Sequence, residues 1–236
     1  MLFLFLIGGV QKTTLIDFPE KIASIVFTQG CNFRCGYCHN AELVSFRQFY
    51  FEGQEYKPSD FFDFMEKRVG KLDGVVITGG EPTLQTGLYD FIKQIKSMGF
   101  LVKLDTNGTN PDYLEQLYLD NLLDYVAMDI KAPLEKYAEI VQVVPNTEKI
   151  KKSIDLIMKS GVKSEFRTTV IKSQLSFEDF DKIGQLINGA EKYFLQKFEA
   201  SKILDEKLKD EKTYTNEEFA VICQNLQKYV KYVKVR

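Results

Sequence analysis

The spacing of apolar and polar positions changes repeatedly along this chain. Short apolar runs rich in β-branched and aromatic residues span Ile22 to Thr28, Gly74 to Thr78, Phe100 to Thr106, Asp124 to Ile130, Val162 to Val170 and Lys192 to Phe198, and read as strands. Between them, apolar residues recur three and four positions apart, as one buried helix face requires. Phe61, Phe62, Met65 and Val69 mark such a face, as do Leu88, Phe91, Ile92 and Ile95. Ile150, Ile154, Ile157 and Met158 mark another, and Phe177, Phe180, Ile183 and Ile187 a further one. Start signals agree: Ser59 stands where a cap would follow Pro58, and Asn110-Pro111 places a cap before a proline at the first helical position. Thr215-x-x-Glu218 forms a capping box for a last helix whose face carries Phe219, Ile222, Cys223, Leu226 and Val230.

Six strands joined through helices predict an α/β fold with a parallel sheet and right-handed crossovers. Six units are fewer than the eight of a closed barrel. Residues 2–7 and 10–16 read as a strand pair around Gly8-Gly9, ahead of this repeat. Residues 40–58 form a long connection containing Phe46, Phe49, Tyr50, Phe51 and Tyr56. Connections of that length are commonly functional. The charged stretch 201–214 reads as a solvated loop. The chain is therefore expected to be one domain: a strand pair over 1–20, a core over 21–200, then a charged loop and a helix over 201–236.

Composition narrows the function classes. Hydrophobic residues make up 44% of 236 and charged residues 27%, an ordinary globular balance. Thirty-one basic against 33 acidic residues give a net charge of −2, so no global field favours nucleic acid. The apolar start, Met1 to Ile7, has no basic residues before it, stops at Gly8-Gly9 and is far short of the ~20 residues that span a bilayer. It reads as a strand, and no membrane partner is expected. Four cysteines do not make a disulfide framework, and a reducing cytoplasm is the expected compartment.

Three of those cysteines, Cys31, Cys35 and Cys38, fall within eight residues as C-x3-C-x2-C, and the only histidine, His39, follows. Thiolates are soft ligands suited to iron–sulfur clusters or zinc. A cubic 4Fe–4S cluster takes four cysteines, so three leave one iron for a ligand other than protein. A zinc site on Cys31, Cys35, Cys38 and His39 would need adjacent ligands that strain a tetrahedron, and zinc spacings usually arrive as two separated pairs. A redox disulfide or a group of buried cysteines would also account for three thiols this close. Cys223 reads as a core residue, since an isolated cysteine cannot carry a second cluster. The motifs Gly79-Gly80-Glu81-Pro82, Asp105-Thr106 and Asp129 to Lys131, with Arg167 and Gln196, all fall at carboxyl ends of predicted strands. Sites in parallel sheets gather there.

The cysteine loop, with Tyr37 at the aromatic position of C-x3-C-x-aromatic-C, resembles the radical S-adenosylmethionine superfamily. The run from Gly8 to Val44, then Gly79 to Pro82, Asp105-Thr106-Asn107-Gly108 and Met128 to Lys131, resembles activating proteins of anaerobic ribonucleotide reductases, over most of the chain. The resemblance implies a partial (β/α)6 barrel and a 4Fe–4S cluster on Cys31, Cys35 and Cys38. S-adenosylmethionine would chelate the open iron and be cleaved reductively to a 5′-deoxyadenosyl radical. Glu81 would accept from the cofactor's ammonium, with Gly79 and Gly80 permitting close backbone approach. Asp105, Thr106, Met128 and Asp129 would surround its carboxylate through a monovalent cation; repulsion between carboxylates gives a physical reason for that cation or for Lys131. Tyr37 would lie near the adenine, Asn40 would contact the cofactor, Lys131 and Arg167 would hold ribose or carboxylate, and Gln196 is a further cofactor-binding candidate where some relatives place a histidine and this sequence has none. The implied partners are a glycyl-radical enzyme, an anaerobic ribonucleotide reductase, and an electron donor of flavodoxin or ferredoxin type.

Two other functions compete. A radical enzyme acting on a small molecule, as 7-carboxy-7-deazaguanine synthases do, would keep the cofactors, but the match from Gly8 to Asn40 argues against it. A simple electron-transfer module leaves Gly79 to Pro82 and Asp129 to Lys131 without a role. The absence of further cysteines argues against activases that carry a ferredoxin-like insert.

Overall fold

The computed structural model describes residues 5–45 and 56–236. Phe46, Phe49, Tyr50 and Phe51 of the long connection lie outside the described residues, as do residues 2–4 of the expected first strand. The described strands are β1 (Ile7–Thr14), β2 (Ala23–Thr28), β3 (Gly74–Gly79), β4 (Leu101–Thr106), β5 (Tyr125–Asp129), β6 (Lys163–Val170), β7 (Lys192–Lys197) and β8 (Tyr232–Val235). They are hydrogen-bonded in chain order from β1 to β8. β1 runs antiparallel to β2, while β2–β3, β3–β4, β6–β7 and β7–β8 are parallel. Parallel neighbours need helical crossovers. These include α1 (Pro58–Glu66), α2 (Leu88–Ser97) and α3 (Pro111–Leu119), then α4 (Tyr137–Val141), α5 (Thr147–Lys159), α6 (Phe177–Leu186) and α7 (Asn216–Leu226). Strands covered on both faces read as unbroken apolar runs, and β2, β3 and β5 are buried along most of their length.

Three details differ from the sequence reading. The antiparallel pair at the amino end is β1 with β2, and β1 runs straight through Gly8-Gly9 instead of turning there. The register shifts between Ile7 and Gly9, and a Cβ on Gly8 would collide with Leu43. These glycines serve a bulge and a close approach, the usual uses of glycine inside a strand. Helix α1 begins at Pro58 with Lys57 in the cap position, so Ser59 caps nothing. After α7, whose Thr215–Glu218 capping box is present, the short strand β8 joins β7 in parallel.

The chain separates into two compact units. The first comprises Met1–Asn32, Glu42–Thr106 and Asp112–Val126; the second comprises Phe33–Ala41, Asn107–Pro111 and Ala127–Arg236. In the first, Phe18, Ala23, Ile25, Val76 and Tyr125 form a core cluster. In the second, Tyr214 packs edge-on against Phe177, Phe180 and Phe219 and donates from its hydroxyl to the Leu175 carbonyl at 2.7 Å. No helix among the described residues is long and apolar enough to cross a membrane.

Candidate active site

In the first unit, the segment leading into Cys31 is fixed through its backbone. Gly30 N–H donates to Leu43 O at 2.7 Å and Cys31 N–H to Val44 O at 3.2 Å. The buried Gln85 donates from Nε2 to Gln29 O at 2.5 Å and accepts from Leu6 N–H at 2.9 Å. Gly79 and Gly80, at the end of β3, lie against this same segment. Gly80 N–H donates to Thr28 O at 2.9 Å and Glu81 N–H to Gly30 O at 2.8 Å. Gly79 has φ +111°, and a Cβ on Gly80 would collide with the Gly30 carbonyl. Within the chain, then, these glycines make room for the strand that carries the cysteine loop. Glu81 is 1% exposed, and its Oε1 accepts from Thr83 N–H at 3.1 Å, Thr83 Oγ1 at 2.6 Å and Thr106 Oγ1 at 2.8 Å.

Strand β4 carries an ion pair that the sequence reading missed. Lys103 is 2% exposed, and its ammonium pairs with the Asp105 carboxylate. Positions two apart share a strand face, so a lysine followed two residues later by an aspartate was the available signal. The Lys103 ammonium also lies 6.0 Å from the centre of the Tyr125 ring.

In the second unit, Cys35, Tyr37 and Cys38 occupy a turn closed by Cys38 N–H to Cys35 O at 3.0 Å. Arg34 N–H donates to Val141 O at 2.9 Å, and Asp205 N–H to Gly36 O at 2.9 Å. A Cβ on Gly36 would stand 2.9 Å from Leu208 Cδ1. The stretch 201–214 is therefore not simply a solvated loop, because it packs on the cysteine loop through Asp205 and Leu208. His39 lies within hydrogen-bonding distance of Glu199 O, 2.8 Å from Nε2, and stacks near Phe198.

Asp129, at the end of β5, accepts from Arg167 Nε at 2.8 Å and from Lys131 Nζ at 3.0 Å. Burial raises its pKa, but the Arg167 guanidinium and the Lys131 ammonium outweigh that and hold it at about 2. Burial lowers Lys131, while Asp129 and its neighbours hold the ammonium well above the ordinary lysine value. The Lys131 ammonium stands 5.9 Å from the centre of the Tyr37 ring. Its backbone N–H donates to the hydroxyl of the buried Tyr137 at 3.1 Å, a support invisible in the sequence. Thr168 Oγ1 donates to Ile130 O at 2.6 Å and accepts from Tyr193 at 2.7 Å, which pins the residue before Lys131. Met128 is fully buried with its methyl end against Gly108. Gln196 stands opposite Thr169 in the β6–β7 register, and Asn40 is half-buried at the end of the loop.

The residues present suit a thiolate-bound cluster and a polar cofactor. None of the four cysteines is in a disulfide. Burial pushes the Cys35 thiol up, opposed first by the neighbouring Lys131 ammonium. The Tyr37 hydroxyl is buried without a hydrogen-bond partner, a cost the fold bears unless a ligand relieves it. Among the described residues no three His, Cys, Asp or Glu side chains are grouped to cage a single metal ion. A cluster bound at its corners holds its thiolates farther apart than one ion does.

Residues 25–187 match the family model described as the Radical SAM superfamily. A Methanocaldococcus jannaschii protein named as a glycyl-radical enzyme activating enzyme is 34% identical over 98% of this chain and 95% of its own length. The pyruvate formate-lyase-activating enzyme of Listeria monocytogenes is 33% identical over 53% of this chain and 52% of its own. A domain of pyruvate-formate lyase-activating enzyme from Bacteroides vulgatus superposes with a TM-score of 0.57 at 18% identity, covering 69% of this chain and 98% of that one.

Proposed function

The chain belongs to the radical SAM superfamily, among enzymes related to glycyl-radical activases, and on that premise we propose that it installs a glycyl radical on an anaerobic ribonucleotide reductase. The observation that carries this reading is the likeness over 98% of the chain to a glycyl-radical enzyme activating enzyme. The run Gln11 to Pro19, followed by the cysteine loop, favours the reductase among possible partners.

Cys31, Cys35 and Cys38 are the proposed ligands of a 4Fe–4S cluster, and none of them is held in a disulfide. When bound, the cluster and S-adenosylmethionine supply reductive cleavage of the sulfonium, which yields methionine and a 5′-deoxyadenosyl radical. The chain's own part is to bind, orient and exclude. Lys131 and Arg167 bracket Asp129, and this cationic pair is suited to a cofactor carboxylate or ribose. Tyr37 brings a buried ring and an unpartnered hydroxyl to the same region of the second unit, next to Lys131. In the first unit, Glu81 and Asp105 end neighbouring strands and are the proposed contacts to the cofactor's amino acid end.

Electron paramagnetic resonance tests the reading. Reduced protein, S-adenosylmethionine and the anaerobic ribonucleotide reductase of the same organism should give a glycyl radical. Its doublet should collapse when the partner's glycine is deuterated at Cα. Turnover of a small molecule with no radical on any protein partner would overturn the proposal.

A further inference from the structure

We propose that residues 199–212 form a strap that holds the Cys35–Cys38 turn in the shape its cluster needs, with Leu208 and Asp205 as positioning residues. The inference rests on the proposed cluster, and every contact it uses lies within the second unit. The strap leaves β7 and first meets the cysteine loop at His39, whose Nε2 stands 2.8 Å from Glu199 O. It then makes a short helical turn, Glu206–Leu208, capped by the Asp205 carboxylate, which accepts from Lys207 N–H at 3.0 Å. This turn packs on the cysteine turn. Asp205 N–H donates to Gly36 O at 2.9 Å, and a Cβ on Gly36 would meet Leu208 Cδ1 at 2.9 Å and Asp205 Cβ at 3.1 Å. The far end of the strap is tied down elsewhere: Lys172 N–H donates to Lys212 O at 2.8 Å, and Ser173 Oγ to Glu211 Oε2 at 2.7 Å.

Two features separate this arrangement from incidental packing. Gly36 stands between Cys35 and Tyr37 and does not have a positive φ. The occupied space beside it, and not its backbone conformation, therefore calls for glycine there. A charge-rich stretch is expected to extend into water, yet this one is anchored at both ends and sets a leucine against a glycine. Anchored ends leave less chain entropy to lose when the middle is ordered. The cysteine turn is closed by Cys38 N–H to Cys35 O at 3.0 Å, and Cys35 is buried. Thiolates that share a cluster must keep fixed separations. Groups that hold metal ligands in place from outside the ligand set change metal affinity by roughly 10–100-fold when removed.

Two rates test the strap. The first is anaerobic release of iron from reconstituted protein to EDTA, followed by the absorbance of the cluster. Leu208→Ala should release iron ~10-fold faster than wild type, and Leu204→Ala, at an exposed position of the same strap, at the wild-type rate. The second is alkylation of the cluster-free protein by iodoacetamide, read residue by residue by mass spectrometry. Cys35 should react ~10-fold faster in Leu208→Ala, while Cys223 on α7 keeps its wild-type rate. Asp205→Ala, which uncaps the helical turn, supplies a second variant and should raise both rates about 5-fold. It decides alone if Leu208→Ala does not fold. Wild-type iron release from these variants overturns the proposal. Equal acceleration at Cys35 and Cys223 also overturns it, because the substitution then loosens the whole unit. Wild-type protein that takes up no iron overturns the cluster reading instead, and the alkylation rates still show whether the strap covers Cys35.

Discussion

Asp105 and Asp129 each stand two residues from a lysine, and the two pairs differ in kind. At the end of β4 the lysine comes before the aspartate, inside the strand, and is 2% exposed. At the end of β5 it comes after, beyond the strand, where Lys131 and Arg167 share Asp129 and all three side chains keep some exposure. A buried one-to-one pair is fixed by the cost of separating it. A carboxylate shared by two cations that reach solvent leaves those cations able to turn toward an anionic ligand. The first pair holds its two charges together, and the proposed role of the second is to bind a cofactor.

Removing Lys103 should therefore have the largest effect on folding. Lys103→Met leaves a mostly buried carboxylate uncompensated, and a loss of about 3 kcal/mol is expected. For a chain of this size that lowers the melting temperature by on the order of 10 °C, measurable by calorimetry on the cluster-free protein. A loss as small as that from a surface lysine would erase the contrast between the two pairs.

Asp129→Asn comes next, with about 1–2 kcal/mol of stability lost together with its charge-assisted bonds. Its main effect should appear in S-adenosylmethionine affinity, because Lys131 and Arg167 lose the group that aims them. Unchanged affinity would remove the second pair from the cofactor pocket. The pH dependence sharpens this prediction. The folded-state pKa of Asp129 is depressed to about 2, so its contribution is present above the ordinary carboxylate value and is lost as pH falls through about 2. The gap in melting temperature between wild type and Asp129→Asn should be widest above pH ~4 and should close toward pH ~2. A gap that instead widens in acid would contradict the ion-pair assignment.

Much of this arrangement was legible in the sequence. Periodicity located β2 through β7 within about a residue, and the Thr215–Glu218 box marked the start of α7. The missed features share a cause: they depend on partners distant in sequence, or on segments too short to show a period. β8 has only four residues, half of them exposed, and becomes a strand by pairing with β7. Tyr137 reads as one more core aromatic until its hydroxyl is seen to accept from Lys131 N–H. The stretch 201–214 is polar by composition, but Leu208 packs on Gly36 and Tyr214 is buried. Lys103 sat in plain view as a charged residue in an apolar strand, and only its burial distinguishes it from a solvated one.

The smallest effect is expected at Tyr37. Phenylalanine keeps the ring and removes a hydroxyl that is buried without a partner, so stability should stay level or rise by up to about 1 kcal/mol. Cofactor affinity should fall in the same variant, because the hydroxyl is then the group a ligand would have satisfied. A drop in stability without loss of affinity would make Tyr37 a plain core residue.

One loop is proposed to carry a cluster on three cysteines, and iron and sulfide analysis after anaerobic reconstitution tests that ligand set. Alanine at Cys31, Cys35 or Cys38 should abolish cluster content and its electron paramagnetic resonance signal. Cys223→Ser, on the half-buried side of α7, should retain nearly all of both. Full cluster content in any of the three loop variants, or its loss in Cys223→Ser, would show that the ligand set is wrong.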